Sequence, residues 1–135
     1  MRPLLPAVPL ALAACAPTAQ QAVALADRAA ADQVKLDKTL AGLVPGKPSR
    51  CLPLSAGQYR TEGIGRTILY KISRGQVYRS DTAGGCERIG RGDILVTRQV
   101  GGQLCQGDIA TTIDQTSRFQ TGSCSFGPFV PYRRP

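Results

Sequence analysis

Asp81, Asp93, Asp108 and Asp114 are the residues of this 135-residue sequence best suited to acid–base chemistry. Two carboxylates held a few ångströms apart can protonate a leaving group and activate water, as glycoside hydrolysis requires. Aspartate is equally favoured at turns and strand ends, where its oxygens accept backbone N–H groups. Turn and strand-end roles are the expectation, because no base or nucleophile is placed to partner them. The chain contains no His, which removes the commonest metal ligand and the commonest general base near neutral pH. Ser55, Ser80, Ser117, Ser123 and Ser125 therefore have no imidazole to activate them. Gly63-Ile64-Gly65 lacks a third glycine and precedes a strand pattern, whereas a dinucleotide loop opens a helix. Arg91-Gly92-Asp93 spells an adhesion tripeptide but reads as well as a turn before a strand. The sequence thus predicts no catalytic residue, no cofactor-binding residue and no metal ligand, and a non-enzymatic protein.

The cysteines carry more information. After a short basic start at Arg2, Pro3 to Ala14 is uncharged and apolar, too short for the roughly 20 residues of a membrane-spanning helix. It fits the hydrophobic region of a secretory signal. The segment ends Leu12-Ala13-Ala14-Cys15, which resembles the bacterial lipobox. That resemblance implies cleavage before Cys15 and a diacylglycerol on its thiol, anchoring the chain to a membrane. Ala16, in place of an Asp, resembles the signal for the outer membrane, with the domain facing the periplasm. The rival expectation is an ordinary cleaved signal, since Ala14-Cys15-Ala16 also offers a small-residue cleavage site. Five cysteines are an awkward count for an exported protein. Giving Cys15 to lipid leaves Cys51, Cys86, Cys105 and Cys124, an even set that an oxidising compartment turns into two bridges. No spacing is C-x-x-C, so neither a zinc ribbon nor a thioredoxin-type site is indicated.

The charge is +8, from 17 Lys+Arg against 9 Asp+Glu. A basic excess suits anionic partners. The arginines are scattered singly, and the few aromatics are not interleaved among them as nucleic-acid binding would require. Nucleic acid is therefore not expected; an envelope protein or an anionic glycan is.

Three segments must position these groups: a signal peptide over 1–14, a lipidated N-terminus and helical tether over 15–45, and a β-rich domain over 46–135. In the second, Thr18 with Gln21 matches a capping box after Pro17. Ala22, Leu25, Ala29, Leu36, Leu40 and Leu43 form a thin apolar stripe at helical spacing. Pro45-Gly46 and Pro48 end it. A spacer of roughly 40 Å, from about 26 residues at 1.5 Å each, is favoured over a partner-binding helix.

Beyond Cys51 the pattern changes to period two. Ile68, Tyr70 and Ile72 alternate, Ser73-Arg74-Gly75 turns, and Gln76 to Arg79 returns as a hairpin. Tyr70 and Tyr78 read as core or cross-strand partners. Further strands are expected at Asp93–Val100, around Ile109–Ile113 and at Phe129–Tyr132. The fold class is α+β: a helical tether followed by a small disulfide-stapled antiparallel barrel or sandwich. Each bridge is worth roughly 3–4 kcal/mol in the loop-entropy model. Topology favours Cys51–Cys124, clamping the domain ends, and Cys86–Cys105, flanking a hairpin that turns at Gly101-Gly102.

Thr67-Ile68-Leu69-Tyr70, Val77-Tyr78-Arg79, Gly85-Cys86, Leu104-Cys105 and Gly122-Ser123-Cys124, with Leu43 to Pro48 ahead of Cys51, together resemble a family of small bacterial exported proteins of unknown function. The resemblance implies a secreted or lipid-anchored location and carries no functional residues. The leading expectation is an uncharacterised cell-envelope lipoprotein with a binding or structural role. A second is a periplasmic inhibitor of a cell-wall hydrolase, since Ser55-Ala56-Gly57-Gln58-Tyr59 is loosely similar to the inhibitory loop of lysozyme-inhibitor lipoproteins. A third is an enzyme using Asp93, Asp108 or Asp114.

Overall fold

A computed structural model describes residues 16–53, 58–99 and 101–135. The expected signal peptide and Cys15, Ser55-Ala56-Gly57 of the loop likened to an inhibitor's, and Val100 lie outside the described residues. The chain is α+β as expected: helix α1 (Ala19–Leu40) precedes a single curled antiparallel sheet. The strands are β1 (Val44–Pro45), β2 (Arg60–Ile64), β3 (Thr67–Ser73), β4 (Gln76–Thr82), β5 (Ile94–Thr97), β6 (Ile109–Ile113) and β7 (Gln120–Arg133). Their order is β2-β3-β4-β7-β6-β5, with β1 pairing to β7. The sheet curls into half a barrel, in keeping with the small disulfide-stapled antiparallel domain expected.

Thr18 caps α1 through the predicted reciprocal capping box with Gln21. Its first half is exposed throughout. Leu36 and Leu40 are buried against Ile64, Leu69 and Val77 on the outer face of the sheet, with Leu43 and Tyr132 alongside. Lys35 Nζ lies 3.7 Å from Glu62 Oε1 on β2. Helix and sheet therefore share a core, and β1 hydrogen-bonds into the sheet ahead of Gly46. A domain start at Gly46 would cut through both. The apolar stripe reads differently in its two halves: Leu25 stays exposed, and only the last turns reach a surface to cover.

The larger core fills the inside of the curl. Ile68 and Tyr70 from β3, Tyr78 from β4, Ala110 from β6 and Phe126 and Phe129 from β7 meet there, with Leu52 and Leu104 from the connecting segments. Period-two alternation explains the division in the β3–β4 hairpin. Ile68, Tyr70 and Ile72 point inward while Leu69 faces the helix, and Tyr70 pairs with Tyr78 in register.

The long strand β7 is the spine. Its first half pairs with β6, its second half with β4 and β1. Phe126 and Phe129 share the interior despite their odd spacing, because the register shifts between Ser80 and Thr82. Gly127 and Pro128 of β7 then oppose Asp81 alone on β4, a bulge that re-aims the side chains. Gly127 sits at that bulge, where a Cβ would lie 2.5 Å from the Asp81 carbonyl oxygen.

Both bridges form, with a pairing other than the expected one: Cys51–Cys105 and Cys86–Cys124. Two physical reasons account for the change. First, the strand around Ile94 pairs with β6 instead of folding back at Gly101-Gly102, so Cys86 and Cys105 are not brought together. Cys86 leaves β4 beside β7 and meets Cys124, both buried. Second, the domain ends are already held by β1 on β7. The chain then runs on along β7, with reciprocal Ser49–Phe129 hydrogen bonds, to the loop containing Cys105. There Cys51 and Cys105 form an isolated bridge flanked by Leu52 N–H to Leu104 O (2.8 Å) and Gln106 N–H to Arg50 O (2.6 Å).

Candidate functional site

The four aspartates singled out by the sequence are all engaged in fold-forming bonds. Asp81 accepts from Thr67 Oγ1 (2.6 Å) and Arg79 Nε (3.0 Å). Asp108 accepts from the Cys105 N–H at 2.7 Å, closing the loop that carries that bridge. Asp114 accepts from Thr116 N–H, Ser117 N–H and Ser117 Oγ, closing the β6–β7 turn. Asp93 accepts from Arg88 Nε at 3.0 Å and from Thr121 Oγ1, and Thr121 Oγ1 in turn accepts from buried Thr112 Oγ1 at 2.9 Å.

Arg88 brings two of them together, its Nη2 lying 3.6 Å from Asp114 Oδ2. The hydrogen bond from Thr121, with Arg88 beside it, holds Asp93 below the usual carboxylate range. The Ser117 backbone N–H does the same to Asp114. Both stay ionised at neutral pH, whereas a general acid needs a raised pKa. The pair acts as a clamp on the turn. The adhesion tripeptide is part of it: the Asp93 side chain is only 5% exposed, so Arg91-Gly92-Asp93 is not displayed. Gly63-Ile64-Gly65 ends β2 and turns into β3. Gly63 there lies flat under the 3₁₀ turn Glu87–Arg91, a Cβ at that position falling 2.7 Å from Ile89 Cβ. Among the described residues, no group of three or more His, Cys, Asp or Glu converges on a point.

A different place has the geometry of a binding site. A groove of about 990 Å³ opens beside the end of α1, lined from both faces of the β2–β3 part of the sheet. Thr39, Ala41 and Leu43 line it from the end of α1 and just beyond, and Arg60, Lys71, Ile72, Ser73 and Val77 line it from the sheet. Gln58, Tyr59 and Arg74 complete the lining. None of the described residues that line it is acidic. Arg60 stands opposite Lys71 in the β2–β3 register, a like-charge pair that weakens the sheet. Lys71 is relieved by Glu62, whose Oε2 lies 2.5 Å from Nζ. That bond holds Glu62 below its ordinary range despite partial burial. Arg60 and Arg74 form no ion pair among the described residues.

Tyr59 packs against buried Tyr70, ring centroids 5.1 Å apart at 88°, and remains 39% exposed at the groove. Tyr70 Oη is buried and without a hydrogen-bond partner among the described residues, and burial pushes its pKa up. The sequence pointed to Gln58 and Tyr59 only as the tail of an inhibitor-like loop. It gave Arg60, Lys71 and Arg74 only as scattered charges. The signal that could have joined them is the β3 period, which puts Lys71 and Ser73 on one face, once β2 is recognised as its neighbour. No protein family, curated protein or solved structure matches this chain.

Proposed function

We propose that this chain is a non-enzymatic cell-envelope lipoprotein, anchored through Cys15, that holds a binding domain away from the membrane on the first half of α1. The observation that carries the reading is the division of that helix. Residues 16–31 are exposed along their whole length, and burial begins only with Asp32. A capped helix start at Ala19 lies a few residues from Cys15. The exposed turns from Ala19 to Ala31 rise roughly 20 Å at 1.5 Å per residue, enough to lift the domain off a lipid surface. Two disulfides in so small a domain fit an oxidising compartment, which supports export and the resemblance to small exported proteins. The engagement of Asp81, Asp93, Asp108 and Asp114 in turns favours binding over catalysis.

Metabolic labelling with a fatty acid tests the anchor. Wild-type protein is expected to carry the label and pellet with outer membranes, and Cys15→Ser to lose both. Unlabelled wild-type protein in the soluble periplasm would overturn the reading. More than one acyl chain is needed for long residence, each buried CH₂ contributing about 0.8 kcal/mol.

A further inference from the structure

We infer that the groove beside the end of α1 binds an acidic glycan strand, with Arg60 and Arg74 holding its anionic groups and Tyr59 stacking on a sugar ring. This deepens the proposed envelope role and rests on it.

Four observations converge on the groove. Its size of about 990 Å³ is at the upper end of ligand sites, which run roughly 300–1,000 Å³, and it is open enough for a chain to pass along it. Its charge is one-sided: Arg60, Lys71 and Arg74 line it, and among the described residues only Lys71 has an ion-pair partner, Glu62. The negative end of the helix dipole, about half a charge, opposes an anion there but is smaller than the two unpaired guanidinium groups. Lys38 in the last turn of α1 offsets it further. Arg60 faces Lys71 across the strands, an arrangement that costs the folded protein stability and that a bound anion would relieve. Guanidinium forks bind planar carboxylates with two hydrogen bonds.

Among the remaining lining residues the polar ones suit a sugar, and the apolar Leu43, Ile72 and Val77 are half-buried or buried. Thr39, Ser73 and Gln58 offer hydroxyl and amide groups for sugar hydroxyls, and Tyr59 offers an aromatic surface held upright by Tyr70. An acidic lipid surface would need apolar side chains beside the cations. Of the exposed large apolar residues of the sheet, Ile94, Val96, Ile109 and Phe119 lie on β5, β6 and the β6–β7 turn, away from the groove, and only Val44 on β1 follows a lining residue.

The test uses the acylated full chain in non-ionic detergent, titrated with a uronic-acid octasaccharide and with its carboxyl-reduced, neutral counterpart. Binding of the acidic chain alone is expected, weakening as salt rises. The Arg60→Ala/Arg74→Ala variant is expected to lose about tenfold or more in affinity, as removal of two charge-assisted contacts implies. Tyr59→Ala should lose a smaller factor. The control Arg98→Ala/Arg118→Ala, with the same change in net charge outside the groove, should stay within about twofold. A thermal melt of each variant separates lost binding from lost folding. Equal weakening by the groove and control variants would show diffuse charge attraction and overturn the site. So would equal binding of the neutral chain, no binding of the acidic one, or groove variants that affect only binding to vesicles of anionic phospholipid. Fatty-acid label on Cys15 in the same preparation keeps the anchor independent: label without glycan binding removes the site and leaves the lipoprotein reading, and the converse removes only the anchor.

Discussion

Gly122 on β7 and Gly85 in the β4 exit loop lie backbone against backbone, so that a Cβ on Gly122 would fall inside the van der Waals envelope of the Gly85 carbonyl oxygen. The reverse holds as well, a Cβ on Gly85 meeting the Ser123 carbonyl. This approach aims Cys86 at Cys124. Gly85 has a further reason to be glycine, its φ being +99°.

Gly122→Ala is therefore expected to destabilise the protein, since neither backbone can give way to the new methyl. Overpacking of this kind costs about 1–3 kcal/mol, which corresponds to a Tm lower by roughly 5–15 °C for a domain of this size. Gly75→Ala is the comparison: the nearest atoms to a Cβ there belong to the flexible Arg134 side chain, and its melt should hardly move. Equal melts for Gly122→Ala and wild type would refute the close approach.

Non-reducing peptide maps should return Cys51–Cys105 and Cys86–Cys124. The sequence separations are 54 and 38, so loop entropy assigns the two nearly equal contributions, about 4 kcal/mol each. Burial separates them. Cys86 and Cys124 are in the core, while Cys51 and Cys105 are half-buried at the rim. Replacing Cys86 and Cys124 by Ala should thus lower Tm further than the same change at Cys51 and Cys105, because it also leaves a cavity. The opposite order in paired melts would contradict the burial argument.

A chain beginning at Gly46 should melt at least 10 °C lower than one beginning at Ala31, since it lacks Leu36, Leu40 and β1. Leu36→Ala alone should cost about 2–5 kcal/mol, the usual range for a buried leucine. Trimming only to Ala31 should leave the melt within a few degrees. An unchanged Tm for the Gly46 chain would mean that the helix contributes nothing to the fold.

Asp93, Asp114 and Glu62 all have depressed pKa values. A carboxylate of lowered folded pKa adds stability that is fully present above its unfolded pKa and is lost as pH falls through the folded one. Tm should accordingly be flat near neutrality and decline below about pH 4, where free carboxylates titrate. Asp93→Asn should melt lower at pH 7 and show a shallower acid decline, as it removes a group whose protonation drives the loss. Parallel pH profiles for the variant and wild type would exclude Asp93 from the acid transition.

Much of the local structure was legible in the sequence because it is encoded at short range. Thr18 and Gln21 specify a helix start within one turn, and the alternation of Ile68, Tyr70 and Ile72 specifies a strand with two unlike faces. The even set of four cysteines, set apart from Cys15, specified that bridges form. Contacts between distant segments were not legible. Cysteine spacing leaves three connectivities open, and the choice was made by β5 pairing with β6 and by Gly85 seating on β7. Gly63 and Glu62 gave β2 no apolar alternation, so that strand was missed, and with it the register that brings Arg60 beside Lys71. The α1 stripe is nearly uniform in composition, and which part of it is core depends on where the sheet ends. By itself, then, the sequence determined the kinds of element and the presence of bridges, because periodicity, caps and cysteine count are properties of the chain before it folds. The bridge partners, the helix as part of the domain and the cationic groove were decided only by tertiary structure, because each depends on which strand lies next to which.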